Sequence, residues 1–182
     1  MSLEFRVETA TVADLGLLEA WTAWLPGRDV PCAVGGDHPA EAFRAGRLRV
    51  ICAIDGGERV GISLVAAPSA ALAVDTWHPP RHRPIPGGEC LVWVGIAVCP
   101  GRRQSGLADR LVQRTLDMAA TTGYPYVAAV FPVQEPRASA LLARHGFVRI
   151  DQEACCPEAK QYCVYLASTP TLSLDAQPEI AC

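Results

Sequence analysis

The stretch that most restricts the fold is Leu91-Val92-Trp93-Val94-Gly95-Ile96-Ala97-Val98, an apolar run that stops at Pro100-Gly101 and is followed by a helix pattern opening at Gly106. An apolar run of this length, bounded by turn residues, reads as a strand buried on both faces. The helix pattern carries Leu107, Leu111, Leu116 and Met118 inward and ends at Gly123, a natural C′ glycine. A buried strand feeding an amphipathic helix needs a sheet with helices laid on it, which makes the chain α/β.

The flanking segments extend that layout. Leu3 to Glu8 alternates apolar and polar residues, the period of a half-buried strand. Thr11 and Asp14 form a capping-box variant that opens a helix with Val12, Leu15, Leu18 and Trp21 inward, ending before Pro26-Gly27. A second short helix is expected over Pro39 to Arg44, with Asp37 as its N-cap and Gly46 as its stop. Arg49 to Ile54 and Arg59 to Ala66 read as a hairpin closed by Asp55-Gly56-Gly57-Glu58. From Pro68 to Gly88 the prolines and a Gly-Gly pair predict a long irregular connection, of the length that tends to serve function. Tyr126 to Phe131 reads as another buried strand, and Pro136 opens a helix through Leu141 and Leu142 to His145. Phe147 to Ile150 and Gln161 to Ala167 close the sheet. The expected organisation is one domain over 1–167 and a loose tail over 168–182.

Composition narrows the function classes. A net charge of −3 supplies no basic face for nucleic acid or a membrane surface. Neither a secretory h-region nor a membrane-length apolar run is found, so a cytoplasmic location is expected. The eight cysteines show no C-x-x-C pair and no zinc-type spacing, so no metal is expected and most should behave as small core hydrophobes. Cys155-Cys156 is a vicinal pair with no visible activating surroundings.

The chemistry concentrates where the buried strand turns into the helix, in Val98-Cys99-Pro100-Gly101-Arg102-Arg103-Gln104-Ser105-Gly106-Leu107-Ala108. A helix N-terminus presents unpaired N–H groups and partial positive charge, which suits a pyrophosphate. Gly106 leaves the backbone open to close approach, Arg102 and Arg103 supply cations, and Ser105 a hydroxyl donor.

Here the chain resembles the GNAT N-acetyltransferases. Their acetyl-CoA motif is Gln or Arg, two residues, Gly, one residue, then Gly or Ala, and this sequence has Arg103-Gln104-Ser105-Gly106-Leu107-Ala108 in the family's position after Val98 and Pro100. Asp55 to Gly61 resembles the family's central hairpin. Ala138-x-x-Leu141 with Gly146-Phe147 resembles its later motif N-x-x-A-x-x-L-Y-x-x-x-G-F. The resemblance implies a central mixed β-sheet flanked by helices, with acetyl-CoA as co-substrate and no metal. The pantetheine arm would pair with the backbone of Ile96, Ala97 and Val98, and the pyrophosphate would lie on Arg103, Gln104, Ser105, Gly106, Leu107 and Ala108. The Val98 amide would polarise the thioester carbonyl. The activity implied is transfer of an acetyl or other short acyl group to a primary amine of a small molecule or peptide, by direct attack in a ternary complex.

The sequence departs from the pattern at two places. The tyrosine that often protonates the departing thiolate in the family is Leu142 here, and the motif's asparagine is Glu135. Tyr124, Tyr126 and Tyr162 are candidate substitutes. Glu89, entering the buried strand after Gly87-Gly88, is the candidate general base. His78 and His82 read as residues of a solvated loop, and the segment around Trp77 as a cover for the acceptor pocket, with Trp21 and Trp24 either packing in the core or lining that pocket from the other side. Two other readings stay open: a GNAT-like module that senses acyl-CoA without turnover, and a transferase drawing on another donor such as aminoacyl-tRNA. The apolar strand from Tyr162 to Leu166 makes a homodimer reasonable, and the acceptor's identity is not encoded in any motif.

Overall fold

The computed structural model describes residues 3–8, 45, 48–66, 76–77, 85–132, 136–150 and 162–169. The helices expected near 12–25 and 39–44, Trp21, Trp24, His78, His82, Glu135, the Cys155-Cys156 pair and the tail beyond 169 lie outside the described residues, as does the side chain of Trp77.

Seven strands form one sheet: β1 (Glu4–Glu8), β2 (Leu48–Asp55), β3 (Glu58–Ala66), β6 (Cys90–Val98), β7 (Tyr126–Pro132), β8 (Val148–Ile150) and β9 (Tyr162–Ser168), in the order β1-β2-β3-β6-β7-β9-β8. Every neighbouring pair is antiparallel except β6 and β7. That one parallel pair is joined by helix α1 (Leu107–Thr121), the crossover that parallel strands require. Helix α2 (Pro136–Arg144) links β7 to β8. The connection after β3 is not wholly irregular, because β4 (Thr76–Trp77) and β5 (Ile85–Pro86) pair as a separate two-stranded ladder.

Local sequence explains where these elements stop. Gly56 and Gly57 both take positive φ, +61° and +87°, which gives the primed turn that fits the twist of β2 and β3. Both helices end in the same cap. Tyr124 N–H donates to the Ala119 carbonyl and Gly123 N–H to Ala120, with Phe147 to Leu142 and Gly146 to Ala143 repeating the pattern on α2. These are Schellman bonds, closed by glycines at positive φ.

The helices share one face of the sheet. Leu107, Leu111, Val112, Leu116 and Ala119 of α1, together with Leu142 of α2, pack on Ala53, Val65, Leu91, Trp93, Val127, Ala129, Cys163 and Tyr165. The opposite face is buried as well, with Ile62 and Leu64 wholly inaccessible. Burial on both faces is what the continuous apolar run of β6 foretold. Cys52, Cys90 and Cys163 are buried cysteines outside any disulfide, acting as small core hydrophobes. Burial, with a smaller contribution from the Glu89 carboxylate beside it, pushes the Cys90 thiol up to about 12. β9 continues through Ser168, which pairs with Tyr126, and Thr169 N–H bonds to the Pro125 carbonyl at 2.9 Å. Among the described residues, no helix is long and apolar enough to cross a membrane.

Candidate functional site

The site begins as a defect in the sheet. β6 pairs with β7 only from Cys90 to Trp93, opposite Tyr126 to Ala129, whereas its pairing with β3 continues to Val98. Beyond Trp93 and Ala129 the two parallel strands part, and among the described residues no strand covers the β7-facing edge of 95–98. The cause is visible in the register. Gly95 faces Leu64 and Trp93 faces Val65, so Val94 is an extra residue on β6, a bulge that bends the strand and increases its twist. The Trp93 indole N–H donates to the Gly95 carbonyl at 2.8 Å, clamping the bulge, and its ring packs against Phe147 with centroids 5.9 Å apart.

The parity of the ladder says which groups face the gap. Cys99 N–H donates to the Val60 carbonyl at 3.0 Å, so Cys99 and, two residues back, Ala97 direct their main-chain groups to β3. Ile96 and Val98 therefore turn their N–H and C=O away from β3 and into the gap. Of the three residues expected to hold an extended ligand, the fold presents Ile96 and Val98 and commits Ala97 to the ladder. The side chains of Ile96 and Val98 are half-buried against the helix-face core.

At the open end of β6 the chain makes a 3-10 turn, Pro100–Arg102, and then enters α1. Gln104 has φ +63°, the one non-glycine residue with positive φ among those described. Gly106, the N-cap, follows at φ +74° with no side-chain cap, and a Cβ placed on it would meet nothing within 4 Å. Among the described residues, nothing crowds the backbone at the N-cap of α1. α1 is fixed by a buried hydroxyl chain: Ser63 Oγ lies 2.7 Å from Thr115 Oγ1, which donates to the Leu111 carbonyl at 2.9 Å.

The charged residues divide. Arg102, expected beside a phosphate, bridges Asp55 at the β2–β3 turn at 2.5 Å, so it pins the loop. Ser105 likewise spends its hydroxyl on the Arg102 carbonyl at 2.6 Å. Arg103 is exposed, has no side-chain partner among the described residues, and is the cation left for a ligand. Asp109, in the first turn of α1, would oppose an anion there. Arg144 binds it at 2.9 Å and His145 Nε2 lies 3.1 Å away, and these partners hold its carboxyl below the usual range.

Three sequence-derived candidates are not brought to the cleft. Glu89 ends the 3-10 turn at the far end of β6, seven residues before Ile96, which at ~3.3 Å per residue is roughly 23 Å of strand. That span exceeds the reach of the Glu89 side chain to Ile96, and the point where the strands part, at Trp93, is four residues from Glu89, about 13 Å of strand. Tyr126 pairs with Cys90 at that same far end, and Tyr124 precedes it. The side chain of Tyr162 lies outside the described residues. Leu142 is wholly buried in the core, where it has no proton to give. The sequence reading passed over Tyr165 and Ser139, whose hydroxyls meet at 2.7 Å between β9 and α2. Strand alternation along 162–168 was the only available sign that Tyr165 faces the helices.

A family model described as Acetyltransferase (GNAT) family matches residues 19–147. A comparison with curated proteins found no match. Among solved structures, the ribosomal-protein-S18-alanine N-acetyltransferase from Escherichia coli is similar with a TM-score of 0.59 at 11% identity, over 94% of this chain and 98% of that one. A spermidine/spermine N-acetyltransferase from Vibrio cholerae gives 0.58 at 16%, over 92% and 95%. An N-acetyltransferase from Staphylococcus aureus gives 0.55 at 14%, over 92% and 99%. At such identities the likeness speaks for the fold alone.

Proposed function

The chain belongs to the GNAT acetyltransferase family, and from that premise we propose that it moves an acetyl or short acyl group from acyl-CoA to a primary amine. The observation that carries this reading is the fork between β6 and β7, whose free main-chain groups at Ile96 and Val98 adjoin an uncapped helix N-terminus. An extended arm bearing amides can enter that fork as an added strand, bonding to backbone and so needing no particular side chain. A pyrophosphate at the other end of the same ligand would meet the start of α1, the open space at Gly106 and Arg103, which has no side-chain partner among the described residues.

Direction follows from that anchoring. With the phosphates at the mouth, by Gly106, the arm runs inward past Val98, and its thioester lies toward the closed end. The amide nearest that end is that of Ile96, so the polarising role that the resemblance gave to Val98 falls to Ile96. A backbone donor fixed by the sheet stabilises a developing oxyanion without reorganising, an effect worth about 3–4 kcal/mol. Holding amine and thioester together supplies much of the remaining rate enhancement. Relatives of this fold named for polyamine and for protein-terminal acceptors make both kinds of amine reasonable first substrates.

Leu142, buried where the family often carries its proton donor, favours one second reading: a module that binds acyl-CoA without turning it over. The two readings separate in one experiment. Titrating the protein with acetyl-CoA should give micromolar binding that is lost in Gly106→Glu, whose carboxylate enters the phosphate space on a strained backbone. Thiol release across a panel of amines then distinguishes a transferase from a sensor. Absence of acetyl-CoA binding by the unaltered protein removes both.

A further inference from the structure

The loop between β6 and α1 is tied to the β2–β3 hairpin at two points. Cys99 N–H donates to the Val60 carbonyl at 3.0 Å, and three residues further on the Arg102 guanidinium bridges Asp55. Asp55 ends β2, paired with Glu58 across the Gly56-Gly57 turn, and its side chain is only 10% exposed. The carboxylate therefore sits where the sheet puts it. Arg102 is gripped a second time through its carbonyl, which accepts the Ser105 hydroxyl at 2.6 Å. Asp55, Arg102 and Ser105 thus make one chain of contacts that brackets Arg103 and Gln104 and stops at the residue before the N-cap, Gly106.

Inside that bracket lies a backbone conformation that needs holding. Gln104 has φ +63°, where a residue with a side chain is disfavoured by roughly 5- to 30-fold relative to right-handed backbone. Such conformations persist only where the surroundings over-determine them. The 3-10 turn alone holds this one weakly, since the Arg103 N–H lies 3.4 Å from the Pro100 carbonyl. Letting Gln104 relax would rotate the peptide units on both sides of it and re-aim Arg103 and the approach to α1. A half-exposed ion pair contributes little to whether a chain folds, so the Asp55–Arg102 bridge matters more for the shape of this loop.

We propose that Asp55 is a positioning residue for the acyl-CoA phosphates, holding the strained turn at Gln104 in the shape that receives them by way of Arg102 and Ser105. This rests on the transferase reading above, which puts the pyrophosphate beside Gly106. Asp55 acts through Arg102 and needs no contact with the ligand. Its effect runs against its charge. A carboxylate near a phosphate site repels the anion, so its removal would tighten binding if charge alone decided. If Arg102 were itself a phosphate ligand, freeing it from Asp55 would tighten binding too. The brace gives the opposite sign.

The test is calorimetric titration with acetyl-CoA of Asp55→Ala, Arg102→Ala and the double variant, at a temperature where circular dichroism shows each fully folded. Each single variant should raise the Kd about 5- to 30-fold, the factor by which an unbraced Gln104 leaves the left-handed conformation. The double variant should lose no more than the larger single, because both substitutions cut one chain of contacts. In a Gln104→Gly background both losses should shrink to under two-fold, since glycine takes this conformation without strain. A role in stability alone would not depend on the residue at 104. Arg102→Ala, on the exposed side of the bridge, carries the test if Asp55→Ala fails to fold. Tighter or unchanged binding in Asp55→Ala, additive losses in the double variant, or losses undiminished in the Gln104→Gly background overturn this role while leaving the transferase reading intact. An unaltered protein that binds no acetyl-CoA overturns both.

Discussion

Val98→Pro is a perturbation whose consequences follow from ladder parity alone. Proline removes the backbone N–H and fixes φ near −65°, so its cost in a strand depends on whether that N–H was bonded. At Val98 the N–H points into the gap between β6 and β7, and no ladder bond is lost. At Ala97 the N–H belongs to the pair with Ile62, and a proline there also strands the Ile62 carbonyl in the core. Leaving a buried acceptor unsatisfied costs about 1–3 kcal/mol, and ring strain in a central strand adds to it. Ala97→Pro should therefore lose about 3 kcal/mol in urea unfolding, and Val98→Pro about 1 kcal/mol, mainly from side-chain packing. Binding should show the reverse order. Val98→Pro forfeits one donor to the extended arm, about 1–2 kcal/mol, and should raise the acetyl-CoA Kd 5- to 30-fold at temperatures where the variant is fully folded. Equal destabilisation by the two prolines would refute the parity. An unchanged Kd in Val98→Pro would refute the reading of the gap as the place where the arm pairs.

Gly61 lies beneath α1, and a Cβ there would come within 3.1 Å of Leu111 Cδ1 and 3.3 Å of both Leu107 Cδ2 and the Ala97 carbonyl; Gly61→Val should cost about 1–3 kcal/mol by overpacking, measured by urea unfolding, and a loss under 0.5 kcal/mol would show that the interface can yield. Asp109 has its carboxyl held low in the folded chain by Arg144 and His145, so its contribution to stability is present above the ordinary aspartate range and is lost as pH falls through the folded value. Because the side chain is partly exposed, screening limits that contribution to about 0.5 kcal/mol. Asp109→Asn should accordingly be slightly less stable than the unaltered protein at pH 6, with the difference closing below pH ~4, as followed by thermal unfolding.

Much of this protein is written locally. The Gly56-Gly57 turn, the buried β6 and the helix that starts after Gly106 each follow from a few adjacent residues, because turn conformation, hydrophobic period and helix capping are short-range properties. The family was legible for the same reason: its signature sits in one strand–turn–helix unit, and the match over 19–147 agrees with it. What the sequence could not express is who stands opposite whom. Arg102 and Arg103 are chemically alike and adjacent, yet the β2–β3 turn takes one for Asp55 and leaves the other. Glu89 stands just before the strand that carries Ile96, and only the point at which β7 parts from β6 sets it at the paired end and not beside the gap. Tyr165 lies in an apolar run that reads as core, and its hydroxyl meets Ser139 only because β9 inserts between β7 and β8. Residue spacing along the chain decided the elements and the turn that leads into α1. Strand order and register, set by packing among segments far apart in sequence, decided which backbone groups face the fork.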